Sequence, residues 1–180
     1  MKLKKALMAV AAICALAMAT TGLAAAKTAK PVTAGIRASL SEKQQAIELA
    51  KSECPANCNY FGTKNGEKAY MVKLQNPDTL DYYDVMVSKA DKKIHHITIS
   101  GSNFPGSVTI NKKEADVTAK ILADYPDAKN IVVTLENDPN AVNLKIYKAT
   151  FSTAKFNGVA QLNPATCLYG HRELDYTKAK

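Results

Sequence analysis

The chain has 180 residues and a formal net charge of +8, with 24 lysines and arginines against 16 acidic residues. The basic excess is almost all lysine, spread through both halves of the sequence, and only Arg37 and Arg172 are arginines. Because arginine dominates specific phosphate and base recognition, this composition argues against a nucleic-acid partner and is typical of a solvated surface.

The first 26 residues have the pattern of a bacterial secretory signal peptide. Lys2, Lys4 and Lys5 form a basic start, residues 6–19 form an apolar run, and the small residues 24–26 supply a cleavage site before Lys27. We therefore expect residues 1–26 to be cleaved, residues 27–38 to form a flexible N-terminal linker, and the mature protein to be periplasmic or secreted. No second long apolar run follows, so we expect no stable membrane insertion.

Two segments that lie about seventy residues apart begin in the same way and predict two helices. The first pairs Ser41 with Gln44 and the second pairs Asn111 with Glu114, as in a capping box. Each run stops before a proline, because the residue that precedes proline disfavours the helical region. We expect one apolar stripe of each helix to be buried: Ala46, Leu49 and Ala50, flanked by Ile47, in the first, and Ala115, Ala119 and Leu122, flanked by Ile121 and Tyr125, in the second.

After each helix, the spacing of the apolar residues changes to the alternation that is typical of strands. The first half has such runs at 69–74, 83–87 and 94–99, and the second half has them at 131–135, 142–147, 155–162 and 167–174. We therefore predict an α+β fold, a tandem repeat of a helix packed on a three- to four-stranded antiparallel sheet. The first repeat would span residues 39–103 and the second residues 104–180.

The helix openings at 40–46 and 110–115, together with strand–turn–strand phrases at 83–94 and 162–167, resemble the PepSY domain family. Members of this family are small secreted or membrane-attached modules that open a helix with Ile/Leu-Ser/Thr-x-x-x-Ala and end strands in an Asp-Ala-x-Thr-Gly type of turn. Cys167 stands where the glycine of this turn is expected. The resemblance implies tandem PepSY-like repeats, similar in layout to the secreted β-lactamase inhibitor proteins, that inhibit or regulate envelope peptidases and carry no catalytic residues.

Cys54 and Cys58 are open to three interpretations: a redox pair, half of a metal site, or a structural disulfide. Thioredoxin-like pairs have two intervening residues and place the reactive cysteine at the start of a helix, whereas here three residues intervene and Cys54 follows a helix. Export also favours oxidation of the pair. We therefore predict a structural disulfide between Cys54 and Cys58, with Cys167 either free or paired.

His95, His96 and His171 lie on predicted strands. His95 and His96 are neighbours, so a regular strand directs them to opposite faces, where they cannot share a metal ion. Zinc sites need four convergent ligands, and the sequence offers no such set. We expect no catalytic residue, no metal site and no cofactor. The alternative is a periplasmic carrier of a small ligand, a metal ion or haem that uses the strand histidines.

Tyrosine supplies a large contact area at a low cost in conformational entropy, and Tyr70, Tyr82 and Tyr83 lie on predicted strands. We predict that these three residues bind a partner through an exposed sheet surface, or that the loops at 76–81 and 100–107 do so. The expected function is that of an exported, non-catalytic binding protein. Its partner would be another protein or peptide, such as an envelope peptidase that it inhibits or modulates.

Overall fold

The computed structural model describes residues 40–177, so the expected signal peptide and N-terminal linker lie outside the described residues. This part of the chain forms two helices and eight strands. In chain order they are α1 (Glu42–Ser52), β1 (Asn59–Asn65), β2 (Ala69–Gln75), β3 (Tyr82–Ser88), β4 (Ile94–Ser100), α2 (Glu114–Asp124), β5 (Lys129–Asn137), β6 (Lys145–Ser152), β7 (Asn157–Leu162) and β8 (Tyr169–Asp175).

All eight strands belong to one antiparallel sheet, in the order β1-β2-β3-β4-β8-β7-β6-β5. The predicted fold class, a tandem repeat in which each helix packs on its own three- to four-stranded sheet, is therefore wrong. The correction comes from β4 and β8, which pair along five residues from His96 opposite Asp175 to Ser100 opposite His171. Separate sheets would leave both strands as open edges, whereas their pairing satisfies the backbone groups of both. The molecule is thus mostly one sheet.

Both helices lie on the same face of this sheet. Helix α1 packs on β2 and β3, and α2 packs on β5 and β6. A row of register partners crosses from β2 to β6 on the helix-covered face, and every member is buried: Val72, Val85, Ile97, Leu174, Gly158 and Phe151. The next row carries polar side chains on the opposite face, among them Lys73, Asp84, Thr98 and Glu173. The hydrophobic core therefore lies between the helices and one side of the sheet.

The predicted start of α1 is confirmed, and that of α2 is not. The Ser41 hydroxyl accepts a hydrogen bond from the Gln44 backbone N–H, while the Gln44 side chain accepts one from the Ser41 N–H. Helix α2 begins at Glu114 with Lys113 as its N-cap, and Asp116 accepts a hydrogen bond of 2.7 Å from the Lys113 N–H. The predicted capping box of Asn111 with Glu114 is therefore wrong, because the N-cap of the helix is Lys113, two residues later.

The buried stripe of α2 also differs from the prediction. Val117 and Ile121 are fully buried, whereas Ala115, Ala119 and Leu122 are exposed. The sequence offers two apolar stripes on this helix, and the sheet covers the one with the larger side chains, since burial of Val and Ile removes more apolar surface from water than burial of Ala.

The alternating strand patterns are largely confirmed. Val72 and Leu74 of β2, and Tyr83, Val85 and Val87 of β3, are buried on the helix-covered face. Strand β1 was not predicted, because it is an edge strand with no fully buried residue and therefore has no clean apolar alternation.

Candidate binding surface

Exposed apolar side chains are concentrated at one end of the sheet. This end carries the connections at 53–58, 76–81, 101–113, 138–144 and 163–168, together with the start of β1 and β3. Twelve large apolar residues are exposed among residues 40–177, and all but Leu122, Val132 and Leu135 lie here. We call these nine residues the apolar end: Tyr60, Phe61, Leu80, Tyr82, Phe104, Val108, Ile110, Val142 and Leu168.

The aromatic part of the apolar end is built by a bulge in the edge strand. The register of β1 against β2 shifts between Tyr60 and Gly62, which leaves Phe61 as the extra residue. The Phe61 ring meets the Tyr82 ring edge-on, with 6.1 Å between the ring centroids. Both side chains are more than half exposed. The bulge therefore presents two adjacent aromatic rings to solvent instead of one.

Three Asx-Pro turns give this end its shape. In each turn a side-chain oxygen of the residue before proline accepts a backbone N–H two residues further on: Asn76 from Asp78 at 2.9 Å, Asp138 from Asn140 at 2.8 Å and Asn163 from Ala165 at 2.9 Å. Beyond the end of a strand the backbone N–H groups no longer pair with a neighbouring strand, and in an Asx turn a side-chain oxygen accepts their hydrogen bonds instead. The carbonyl of Asn76 also accepts the N–H of Leu80, and Leu80 then has a left-handed φ of 61°. The turn thus holds the Leu80 side chain outward.

Hydrogen bonds join these connections to one another. The Ser102 hydroxyl donates to the Thr79 carbonyl at 2.9 Å, and the Asn163 amide donates to the carbonyls of Phe104 and Gly106 at 3.0 Å each. The backbone of Ser107 exchanges two hydrogen bonds of 2.9 Å with that of Lys145. The connections are therefore held together as one surface, and such preorganisation lowers the entropic cost of binding.

Close packing of backbone against β8 adds to this rigidity. A Cβ atom on Gly101 would lie 2.5 Å from the Tyr169 carbonyl oxygen, and one on Gly170 would lie 2.6 Å from the Pro105 ring. Only glycine fits at these two points without displacing backbone or a proline ring, so the connection that carries Phe104 lies directly against the sheet.

A mostly buried ion pair anchors the turn between β2 and β3 from behind. Asp81 lies between Leu80 and Tyr82, and its carboxylate accepts a hydrogen bond from the Arg172 guanidinium at 3.0 Å. The two side chains are only 15 % and 13 % exposed. The guanidinium also donates to the Tyr125 hydroxyl at 3.3 Å and lies over the Tyr169 ring, 4.5 Å from its centroid. Arg172 thus ties the apolar end to β8 and to the end of α2.

The opposite end of the sheet is charged. Its three hairpin connections, at 66–68, 89–93 and 153–156, carry the lysines Lys68, Lys89, Lys92, Lys93 and Lys155. None of the large exposed apolar residues of the described chain lies in these three connections. The two ends of the sheet therefore differ: the lysine-rich end presents well-hydrated charged groups, whereas the apolar end exposes side chains that water solvates poorly.

The three tyrosines predicted to bind a partner occupy three different environments. Tyr82 is 52 % exposed and belongs to the apolar end. Its neighbour Tyr83 faces the helices, and burial raises the pKa of Tyr83 to about 12. Tyr70 is partly buried near Lys89, whose ammonium lies 4.8 Å from the ring centroid, and it lines a groove of about 830 Å³ beside α1. The structure therefore does not bring the three together.

The two loops named from the sequence, at 76–81 and 100–107, do belong to the apolar end. The side chains that sequence reasoning did not single out include Phe61, Leu80, Phe104 and Leu168, although Leu80 and Phe104 lie in those two loops. For three of them a signal was available, because Leu80, Phe104 and Leu168 are large apolar residues inside segments that Asn, Pro, Gly and Ser mark as turns. Turns lie on the surface, so a large apolar residue within one is exposed. Phe61 gave no such signal, since its exposure comes from the bulge.

The cysteines form no disulfide among the described residues and lie as free thiols. Cys54 is buried next to Cys58, and burial, followed by the neighbouring Cys58, raises the pKa of Cys54 to about 12. A thiol with so high a pKa is a poor nucleophile at neutral pH, which argues against thiolate redox chemistry. Cys167 lies apart, with Asp116 and Lys112 among its charged neighbours. The bond between Cys54 and Cys58 remains a prediction.

The histidines do not converge on a common site. His96 lies opposite Asp175, and His171 lies opposite Ser100, four residues further along β4, so the two are separated by about 13 Å along the strands. His95 is 2.9 Å from the Asp91 carboxylate, and this hydrogen bond, with a second from Ser88, lowers the pKa of Asp91 to about 2. Within residues 40–177, no group of three or more His, Cys, Asp or Glu side chains is placed to hold a metal ion.

No protein-family model, no curated protein and no solved structure matches this chain. Neither of the helices within residues 40–177 is long and apolar enough to cross a membrane.

Proposed function

We propose that this chain is an exported, non-catalytic binding protein whose protein partner docks on the apolar end. The observation that carries the proposal is the concentration of nine exposed apolar side chains on mutually bonded connections at one end of the sheet. Contiguous exposed apolar surface with a polar surround is characteristic of protein interaction sites. The surrounding Asn, Ser and Thr side chains of the Asx-Pro turns supply that polar rim.

The partner that we propose is an enzyme of the cell envelope, such as a peptidase, which the chain inhibits or modulates. Two features support this class. The expected signal peptide would deliver the protein to the envelope, and the PepSY-like phrases in its helix openings and turns suggest a regulatory module. Rigid loops with aromatic and leucine tips, such as Phe61, Leu80 and Phe104, fit a concave surface such as an enzyme cleft.

The test is capture of a partner from a periplasmic extract on the immobilised mature protein, followed by peptidase assays with and without the pure protein. Leu80→Asn and Phe104→Lys remove apolar tips from the docking surface, and asparagine tolerates the left-handed backbone of position 80. We expect the double variant to weaken capture and enzyme modulation at least about tenfold, as loss of two central apolar contacts does in other interfaces.

The matched control is Val132→Lys. Val132 and Phe104 are equally exposed, at 58 % each, but Val132 lies on β5 and away from the apolar end. We expect this variant to retain capture in full. Equal binding by all variants, or the absence of any captured partner and of any effect on peptidase activity, would refute the proposed function.

A further inference from the structure

The three exposed apolar residues that do not belong to the apolar end lie on the β5 side of the molecule, Leu122 and Leu135 on the helix-covered face of the sheet and Val132 on the opposite face. Val132 and Leu135 lie on β5, and Leu122 lies on α2, which packs on β5. Strand β5 is the last strand of the sheet order, so one row of its backbone N–H and C=O groups has no strand partner within the described chain. An unpaired edge of this kind can accept a further strand.

The two edges of the sheet differ in how they are protected. Strand β1 has a bulge in its middle, at Phe61, and an exposed lysine, Lys64, both of which discourage further strand pairing. In β5 the bulge lies near the beginning, before Val132. From Val132 to Asn137 the strand pairs regularly with β6 and contains no lysine, proline or bulge. The β5 edge is therefore open to pairing, and the β1 edge is guarded.

The exposed stripe of α2 lies on the same side of the molecule as this edge. The Lys120 ammonium lies 5.1 Å from the centroid of the Tyr169 ring on β8, so Lys120 points to the middle of the sheet. Leu122 follows two residues later and, at 100° a residue, points to the opposite flank, which is the β5 side. Ala119 and Ala115 continue this flank one and two turns earlier. The strand edge and the helix stripe therefore both face the β5 side of the molecule.

We propose that this surface binds a second copy of the chain, with β5 of one protomer pairing antiparallel with β5 of its partner. The two eight-stranded sheets then join into one of sixteen strands. Neighbouring strands lie about 4.8 Å apart, and α2 lies over β5 and β6, so the two α2 helices come about 10 Å apart. That is the packing distance of two helices, and the small side chains of the α2 stripe permit it.

The sequence of β5 is compatible with pairing to itself. With the two-fold axis at Val133, Val132 of one copy lies opposite Thr134 of the other, and the bulged residues 130–131 lie opposite Leu135. A two-fold interface requires this reciprocity. No like charges meet. The bulge places Lys129 on the same face of the sheet as Glu136, and the two residues lie at opposite ends of β5. Antiparallel pairing therefore brings Lys129 of one copy near Glu136 of the other.

A second copy fits this surface better than an extended peptide. A single peptide strand would satisfy the β5 edge but would leave Leu122, Ala115 and Ala119 exposed. Only a partner with both a strand and a helix in the same arrangement covers both, and the chain itself supplies one. In the resulting dimer the two apolar ends point in opposite directions, because the two-fold axis is perpendicular to the sheet. The dimer would therefore present two separate docking surfaces.

The test is sedimentation equilibrium on the mature protein over a range of micromolar concentrations, combined with hydrogen exchange of the β5 amides. We expect a dimer, with exchange in residues 132–137 slowed as the concentration rises. Combining Val132→Lys with Leu122→Lys should weaken dimerisation at least about tenfold, since both place charge on the proposed interface. Phe104→Lys, an equally exposed apolar site on the apolar end, should leave the dimer intact.

A monomer at every concentration would overturn this proposal, as would a dimer that resists the double variant or that protects β1 or the apolar end in place of β5. Protection of β5 only when a different protein is bound would also overturn it, since the occupant would then be a partner strand. Capture of an envelope enzyme and self-association are measured separately and depend on different residues, so failure of one is distinguishable from failure of the other.

Discussion

Cys54 and Cys58 show how strongly the surroundings of a residue limit its chemistry. Both thiols lie in the short connection that leads from α1 into β1, and Cys58 donates its backbone N–H to the Pro55 carbonyl at 3.0 Å. Burial raises the pKa of both thiols, which keeps them protonated at neutral pH. Because thiolate is the attacking species in disulfide formation and exchange, so little thiolate makes the folded pair slow to react, and the bond would have to form during maturation with help from an oxidant.

We predict that the mature, exported protein contains the Cys54–Cys58 disulfide and a free Cys167. Mass spectrometry without reduction should find the protein two hydrogen atoms lighter than after reduction, with the loss assigned to the peptide that contains Cys54 and Cys58. Blocking of free thiols before digestion should label Cys167 alone. A free Cys54 or Cys58, or a linkage of either to Cys167, would contradict the prediction.

At the scale of elements, three hairpins share one turn geometry. Residues Leu80, Lys92 and Cys167 occupy the same place in the turns between β2 and β3, β3 and β4, and β7 and β8, and each has a left-handed φ, of 61°, 56° and 63°. A residue with a Cβ atom is strained in this region, whereas glycine is not. Cys167, like Leu80 and Lys92, therefore adopts a backbone conformation that glycine would accommodate without strain.

We predict that Lys92→Gly stabilises the protein by about 0.5 to 1 kcal/mol. Glycine relieves the strain of the left-handed backbone at position 92, and this gain exceeds the cost of the conformational entropy that glycine adds to the unfolded chain. The ion pair of Lys92 with Glu42 is exposed on both sides, so its loss costs little. Denaturant unfolding measures the change. Ala90→Gly, in the same turn but without a positive φ, is the control and should be neutral or destabilising; a stability gain there, or none at Lys92, would contradict the explanation.

The helices show where local sequence stops being informative. Helix α1 begins as predicted because its capping box depends on Ser41 and Gln44, which lie three residues apart. The buried side of α2 was predicted wrongly because the helix has two apolar stripes, and only the position of the sheet decides between Val117 with Ile121 and Ala115 with Leu122. The exposed stripe is the one that our dimer proposal uses.

At the scale of the whole molecule, Asp81 and Arg172 connect parts of the chain that are far apart in sequence. They are separated by 91 residues, and their mostly buried pair joins the turn between β2 and β3 to β8. The Tyr125 hydroxyl and the Tyr169 ring complete the surroundings of the guanidinium. A charge in such a position is stable only while it is paired.

We predict that Asp81→Asn destabilises the protein by about 3 kcal/mol, because the Arg172 guanidinium stays buried without a carboxylate. Thermal and denaturant unfolding measure the loss. Combining Asp81→Leu with Arg172→Met, which replaces the pair with apolar side chains, should recover much of the stability. Asp84→Asn is the control: it breaks the exposed ion pair of Asp84 with Lys73, 3.2 Å apart, and should change stability by less than about 1 kcal/mol. Equal losses at positions 81 and 84 would contradict the proposed role of burial.

The amino-acid sequence by itself determined the features that depend on near neighbours: the capped start of α1, the Asx-Pro turns, the alternation of β2 and β3, and the loops at 76–81 and 100–107. Hydrogen bonds within a few residues and the two-residue period of a strand decide these features. The tertiary structure alone decided that β4 pairs with β8, that both helices cover one face, and that Phe61, Tyr82 and Phe104 all lie at the same end of the sheet. Those outcomes depend on strand edges and burial between residues far apart in the chain, for which no local pattern exists.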